Sequence, residues 1–152
     1  MTAALERVGR DEPAEVDALV TVEEAASVRP WKRAVFEEEL ARDFSRVIVA
    51  RGEAGAIDAF IVYWIVRDEL HILNVATTPA ARRRGHAARL VEHAIAASLR
   101  SKCVRVLLEV RRSNIAAIRL YRKYGFRPIG VRANYYAEEH EDALVMELAL
   151  TR

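Results

Sequence analysis

The stretch from His71 to Val110 changes its hydrophobic period twice, and no other feature narrows the fold as far. His71-Ile72-Leu73-Asn74-Val75-Ala76 is short and apolar and runs into Thr77-Thr78-Pro79. Proline lacks a ladder donor and restricts the residue before it, so a strand should stop there. From Ala87 onward, Leu90, Val91, Ala94, Ile95 and Ser98 recur at the i, i+3, i+4, i+7 spacing of a helix with one buried face. Cys103-Val104-Arg105-Val106-Leu107-Leu108-Glu109-Val110 then reads as a second buried strand. Strand, helix and strand form a βαβ unit, whose crossover is almost always right-handed and whose two strands are therefore parallel.

Between the first strand and the helix stands Arg82-Arg83-Arg84-Gly85-His86-Ala87. A glycine-pivoted turn here aims the unpaired N–H groups of a helix start at one spot, and the arginines add positive charge. Open α/β sheets bind ligands at the carboxyl ends of their parallel strands, which is where this turn falls. The pattern is an anion seat shaped for phosphate. It is neither GxGxxG nor a P-loop, since it has one glycine and no P-loop lysine. Taken alone it describes a solvated basic loop with a helix-initiating glycine equally well.

Elsewhere, Leu5 to Val8 reads as a short strand, Pro13 to Val28 as a helix and Trp31 to Arg42 as another, with Phe36 and Leu40 an i, i+4 apolar pair. Arg46 to Ala50 and Ile57 to Val66 read as strands joined by the Gly52 to Gly55 turn, and Arg67-Asp68-Glu69 leads into the His71 strand. After Val110, Asn114 or Ser113 can cap a helix whose Ala117, Leu120, Tyr121 and Tyr124 share a face, with Gly125 as its left-handed stop. Ile129 to Ala133 and Leu144 to Leu150 complete an antiparallel pair. No linker, repeat or low-complexity tract intervenes. The expectation is a single domain over residues 1–152, of α/β (α+β) class: a mixed sheet, antiparallel except at the central βαβ crossover and flanked by helices.

Two motifs now stand in order along the chain. An arginine or glutamine followed by xxGx and then glycine or alanine is met by Arg82, Gly85 and Ala87. The pattern NxxAxxLYxxxGF is met by Asn114, Ala117, Leu120, Tyr121, Gly125 and Phe126. Together they resemble the GNAT superfamily of acetyl-coenzyme A dependent N-acetyltransferases, over roughly Val47 to Leu150. Within it, Leu108-Glu109-Val110-Arg111, Ser113-Asn114, Asn134-Tyr135-Tyr136, Glu141-Asp142-Ala143, Met146 and Pro30-Trp31 are similar to the bacterial alanine N-acetyltransferases, of RimI type, that modify the N-terminus of a small-subunit ribosomal protein. Arg29, Ala137 and Lys102 stand where that pattern usually has an aromatic residue, a proline and a glycine.

The resemblance implies a GNAT fold whose two parallel strands splay at their carboxyl ends, so that pantetheine amides bond as a pseudo-strand along Leu73, Asn74 and Val75. It implies a diphosphate on the N–H groups near Gly85, His86, Ala87 and Ala88, with charge from Arg82, Arg83 or Arg84, and a Val75 N–H that polarises the thioester carbonyl. By the same resemblance Glu109 is the general base, Tyr121 the general acid beside the cofactor's sulfur, Asn114 a helix cap that also contacts the cofactor, and Trp31, Tyr135 and Tyr136 line a peptide groove. Plainer readings stay open: a solvent-exposed strand-end charge for Glu109, and packing for Tyr121 that accounts for its ring but not its hydroxyl. Capping alone is the plainer reading for Asn114. Glu138, Glu139, Glu141 and Asp142 either attract a basic peptide or form a solvated turn.

Proton affinity bears on which amine is feasible. Freeing the lone pair of an α-amino group, with a reference pKa near 7.7 to 8.0, costs about 1 kcal/mol at neutral pH, against roughly 4 to 5 kcal/mol for a lysine near 10.4. A carboxylate acting through water can manage the easier case. Passing a phenolic proton near 10 to a thiolate near 8.5 is uphill by about 2 kcal/mol in water, which favours hydrogen bonding over full transfer.

Composition restricts the remaining classes. A chain of 152 residues that is 52% hydrophobic suits one core. The longest apolar run, Ala59 to Val66, is too short to span a bilayer, and Glu6, Arg7 and Arg10 break any signal-peptide core, so a cytoplasmic enzyme without a membrane partner is expected. Cys103 is the only cysteine, which rules out an intrachain disulfide and suggests simple packing. A net charge of +2, from 24 basic and 22 acidic residues, is too balanced for nucleic-acid binding as a main role. His71, His86, His93 and His140 show no converging metal-ligand spacing and read as surface or turn residues. The expected cosubstrate is acetyl-CoA and the expected partner a protein or peptide N-terminus, with a ribosomal protein foremost. A GNAT acting on a free small amine, and a noncatalytic acyl-CoA-binding or nucleic-acid-associated module, are the competing readings.

Overall fold

The computed structural model describes residues 5–10, 12–136 and 140–150. Its elements run β1 (Leu5–Arg7), α1 (Pro13–Ala26), α2 (Arg33–Ala41), β2 (Ser45–Arg51), β3 (Ile57–Val66), β4 (Glu69–Thr77), α3 (His86–Arg100), β5 (Arg105–Arg111), α4 (Ile115–Lys123), β6 (Arg127–Tyr136) and β7 (Glu141–Ala149). The strands form one sheet in the order β1-β2-β3-β4-β5-β7-β6. β4 and β5 are parallel, as the βαβ reading requires, whereas β1–β2, β2–β3, β5–β7 and β6–β7 are antiparallel. Among the described residues no helix is long and apolar enough to cross a membrane. The chain divides into two compact units, Met1–Trp64 with Leu73–Ala94, and Ile65–Ile72 with Ile95–Arg152.

In the first unit β3 explains the longest apolar run, because both of its faces are covered. Alternation along a strand puts Phe60 and Tyr63 on opposite faces. Phe60 meets Phe36 of α2 edge-on at 5.5 Å, and Val16, Leu19 and Val22 of α1 join the same cluster. Tyr63 meets His93 of α3, with ring centroids 6.0 Å apart. Burying a ring such as Phe60 stabilises the fold by roughly 2 to 3 kcal/mol. At the start of β3, Ile57 and Ala59 pair with the consecutive residues Arg51 and Ala50, so Asp58 is an extra, bulged residue.

The second unit is built on β5, flanked by β7 over its whole length and by the first residues of β4. Val106, Leu108 and Val110 are buried at period two, while Glu109 between them is exposed. β6 is the sheet edge and is exposed along nearly all of its length. That is why its sequence shows no clean alternation, and why the expected strand at Ile129 to Ala133 proves to be twice as long, Arg127–Tyr136. α1 and α2 are shorter than the sequence suggests. Ser27 and Lys32 adopt extended backbone, and the Trp31 backbone N–H is taken by the Glu23 carboxylate at 2.9 Å, which leaves the residues between the helices as a loop.

Candidate active site

The first unit holds the β4 segment Leu73–Val75 and the basic turn beyond it. The Thr78 N–H donates to the Asp58 carbonyl at 2.9 Å, and Pro79–Ala81 makes a single 3₁₀ turn. Arg82, Arg83, Arg84 and Gly85 are exposed. Arg83 has φ 66° and Gly85 φ 80°, both in the left-handed region. A Cβ on Gly85 would meet nothing within 4 Å, so this glycine answers to backbone geometry and not to crowding. The Arg89 N–H closes the first helical turn on the Gly85 carbonyl at 3.1 Å. Gly85 is therefore the N-cap of α3, and the four donors that a helix start leaves without an intrahelical acceptor belong to Gly85, His86, Ala87 and Ala88. These are the four residues expected to seat a diphosphate.

His86 corrects one expectation. Its side chain is buried, not a surface or turn group, and its Nε2 lies 3.5 Å from the Asp58 carboxylate. As the first residue of α3 it has a face directed into the fold, and the bulge at Asp58 supplies a polar neighbour there. Asn74 donates its side-chain amide to Glu23 at 3.1 Å. Glu23, buried on α1, thus accepts from both β4 and the Trp31 backbone, a link the sequence gives no sign of. The Trp31 ring is half-buried, 5.4 Å from Phe36. The parallel ladder of β4 with β5 has four pairs and ends at Ile72↔Leu108, while β4 continues to Thr77 and β5 to Arg111.

The second unit holds Glu109, Asn114, Tyr121, Tyr135 and Tyr136. The motif around α4 is a pair of helix caps. Asn114 Oδ1 accepts the Ala117 N–H at 3.2 Å at the start. At the end Gly125, with φ 97°, donates to the Arg122 carbonyl at 3.0 Å, and Phe126 donates to the Tyr121 carbonyl at 3.1 Å. This is a Schellman closure, and its usual apolar contact is made by the rings of Phe126 and Tyr121, 5.6 Å apart. Tyr121 is fixed at the residue where the helix is locked shut. Burial, reinforced by Tyr136, pushes its phenol up to about 12.

Tyr135 and Tyr136 are brought together by an irregularity. Successive strand residues point to opposite faces, yet these rings stand 5.2 Å apart at 77°. The register shifts between Arg132 and Tyr136, where Asn134 takes φ 50° and donates its N–H to the Asp142 carboxylate at 2.9 Å. Arg132 lies 4.4 Å over Tyr135 and Arg111 3.9 Å over Tyr136. Burial raises Tyr136 against the pull of Arg111. Hydrogen bonds from Ser113, then Arg111, hold Glu141 below its ordinary value. Glu141 and Asp142 are thereby committed to this lattice, whereas Ala137, Glu138 and Glu139 lie outside the described residues. Arg111 figures in the sequence only as part of the Leu108–Arg111 resemblance and Arg132 not at all; Arg132 Nη1 donates to Glu109 Oε1 at 3.2 Å.

The first unit thus carries a helix start suited to an anion, and the second an exposed carboxylate at Glu109 and a buried phenol at Tyr121. Residues 16–126 match the acetyltransferase (GNAT) family, and the chain belongs to that family as an acetyl-CoA-dependent N-acetyltransferase. Among its relatives, the ribosomal protein bS18-alanine N-acetyltransferase of Salmonella typhimurium (strain LT2) is 35% identical over 132 residues, 86% of this chain and 88% of that protein. The enzyme so named from Escherichia coli (strain K12) is 31% identical over 142 residues, 92% of this chain and 95% of its own. The crystal structure of the ribosomal-protein-S18-alanine N-acetyltransferase from Escherichia coli superposes with a TM-score of 0.88 at 29% identity, covering 98% of this chain and 94% of that one.

Proposed function

We propose that this enzyme transfers the acetyl group of acetyl-CoA to the N-terminal α-amine of a ribosomal protein that begins with alanine, and that it does so in the cytoplasm with residues 1–152 acting as one acetyltransferase domain. The observation that carries the substrate is the likeness, over nearly the full length of both partners, to enzymes named for that reaction.

Acetyl-CoA fits the residues present. The open space at Gly85, the four helix-start donors and the exposed Arg82, Arg83 and Arg84 suit its diphosphate, and the β4 segment Leu73–Val75 suits its pantetheine amides. Backbone N–H groups aimed at a developing oxyanion stabilise it without reorganisation, and Val75 is the candidate donor. Asn114 spends its side-chain oxygen on the helix cap, and its amide nitrogen is assigned to the cofactor.

Glu109 takes the amine proton as general base. The task is light, since an α-amine needs only about 1 kcal/mol to be free at neutral pH. Tyr121 serves the departing sulfur. With its phenol near 12, full transfer to a thiolate of reference value near 8.5 would be uphill by about 5 kcal/mol. Its role is therefore to donate a charge-assisted hydrogen bond that strengthens as negative charge builds on sulfur. Trp31, Tyr135 and Tyr136 are assigned to the incoming peptide.

Mass spectrometry of N-terminal peptides incubated with enzyme and acetyl-CoA tests the reading. Acetylation at the α-amine of alanine-starting ribosomal peptides, with lysine side chains and small free amines left unmodified, is the expected result. Turnover confined to small amines overturns it.

A further inference from the structure

The guanidinium of Arg132 on the Glu109 carboxylate is not accounted for by acetyl transfer as so far described. The two residues lie on β6 and β5, with β7 between them. The ladders show how they meet. Ala143 of β7 pairs with both Arg111 and Arg132, and Val145 pairs with both Glu109 and Gly130, so these residues occupy two neighbouring rows. β5 and β6 are about 10 Å apart across the intervening strand. Only a long side chain spans that gap, and Arg132 does so on the diagonal past Ala143 and Val145 of β7, with Gly130 adding no side chain beside it.

The arginine is also braced. Its guanidinium lies over Tyr135, Tyr135 meets Tyr136 edge-on, and Tyr136 carries Arg111 over its ring. Stacking orders the planar group before it bonds, which lowers the entropy lost in holding a carboxylate. Stability does not explain the arrangement, because the side chains of Arg132 and Glu109 are 54% and 33% exposed, and exposed pairs contribute at most about 1 kcal/mol. What a braced single contact supplies is direction.

We propose that Arg132 is a positioning residue for the transfer: it holds the Glu109 carboxylate in the orientation that receives the amine proton, and it is itself oriented by the aromatic pair on which the peptide rests. The inference depends on Glu109 being the general base.

Steady-state kinetics on an alanine-starting peptide, with thermal unfolding alongside, tests it in Arg132→Gln, Arg132→Lys, Glu109→Gln and the double variant Arg132→Gln/Glu109→Gln. Arg132→Gln should lower kcat about tenfold with KM within about twofold, and Arg132→Lys should recover part of the loss. The double variant should be no slower than Glu109→Gln, since a residue that acts through the carboxylate has nothing left to position. Unfolding midpoints should stay together, which separates the loss from damage to the fold. Wild-type kcat in Arg132→Gln, or an undiminished tenfold cost in the Glu109→Gln background, overturns the proposal while leaving the base assignment intact. Wild-type kcat in Glu109→Gln removes the base assignment, and this inference with it.

Discussion

A phenol raised to about 12 cannot be both buried and a ready proton donor, and Tyr121 is buried. The balance between those two facts fixes the size of its effect. Full general-acid catalysis contributes about 10² to 10⁴ in rate, whereas a hydrogen bond to a charged group contributes roughly 1.5 to 3 kcal/mol. Tyr121→Phe should therefore lower kcat by roughly 10- to 100-fold. It should leave peptide KM little changed, because the ring and its contact with Phe126 survive. A loss of 10⁴ in stopped-flow thiol release would show that the proton is transferred outright. The sequence made Tyr121 and Asn114 legible because their motif is local: the cap, the locked helix end and the glycine stop are fixed by spacing alone. It could not reveal Arg132, whose partner is reached only through the register of two ladders. It also misread His86, because a lone histidine beside a glycine turn looks the same whether it faces water or the Asp58 bulge.

At the scale of the element, the turn into α3 is held in the left-handed region at both Arg83 and Gly85. Gly85 sits at φ 80° with open space around it, so an alanine there meets strain and no clash. The left-handed conformation costs a residue with a Cβ roughly 1 to 2 kcal/mol. Part of that cost can be relieved by moving the turn, and moving the turn disperses the helix-start donors. Gly85→Ala should accordingly weaken acetyl-CoA binding about tenfold in calorimetric titration while lowering the unfolding midpoint by only a few degrees. A midpoint drop with unchanged affinity would mean that these donors do not hold the cofactor. The βαβ unit around this turn was readable because its strands and helix are buried on fixed faces and so keep strict periods. β6 was not, since an exposed edge has no face for hydrophobicity to mark. The bulges at Asp58 and Asn134 were equally silent, because each is created by pairing with a neighbouring strand.

At the scale of the whole molecule, the family was legible from two short motifs, while the links that join distant segments, Glu23 to Asn74 and Arg132 to Glu109, exist only once the chain has folded. The same holds for the proton on Tyr121, which ties global stability to pH. Below pH 10 both the native and the unfolded chain keep that proton, and its contribution is fully present. Between about 10 and 12 the unfolded chain releases it and the native chain does not, so alkali draws the equilibrium toward unfolding. A rise of two units, at about 1.4 kcal/mol each, removes between about 2 and 3 kcal/mol by pH 12. That is a large share of the 5 to 15 kcal/mol that holds a typical domain together. Urea unfolding at pH 9 and pH 11 should show wild-type stability falling, over those two pH units, by roughly 1 kcal/mol more than that of Tyr121→Phe. The variant keeps a residual slope from Tyr136, which burial pushes in the same direction. The three lysines and the arginines cancel in the comparison, because both proteins carry them. Equal slopes would place the Tyr121 hydroxyl in water, and with it would go the case for a phenol that lends a hydrogen bond but keeps its proton.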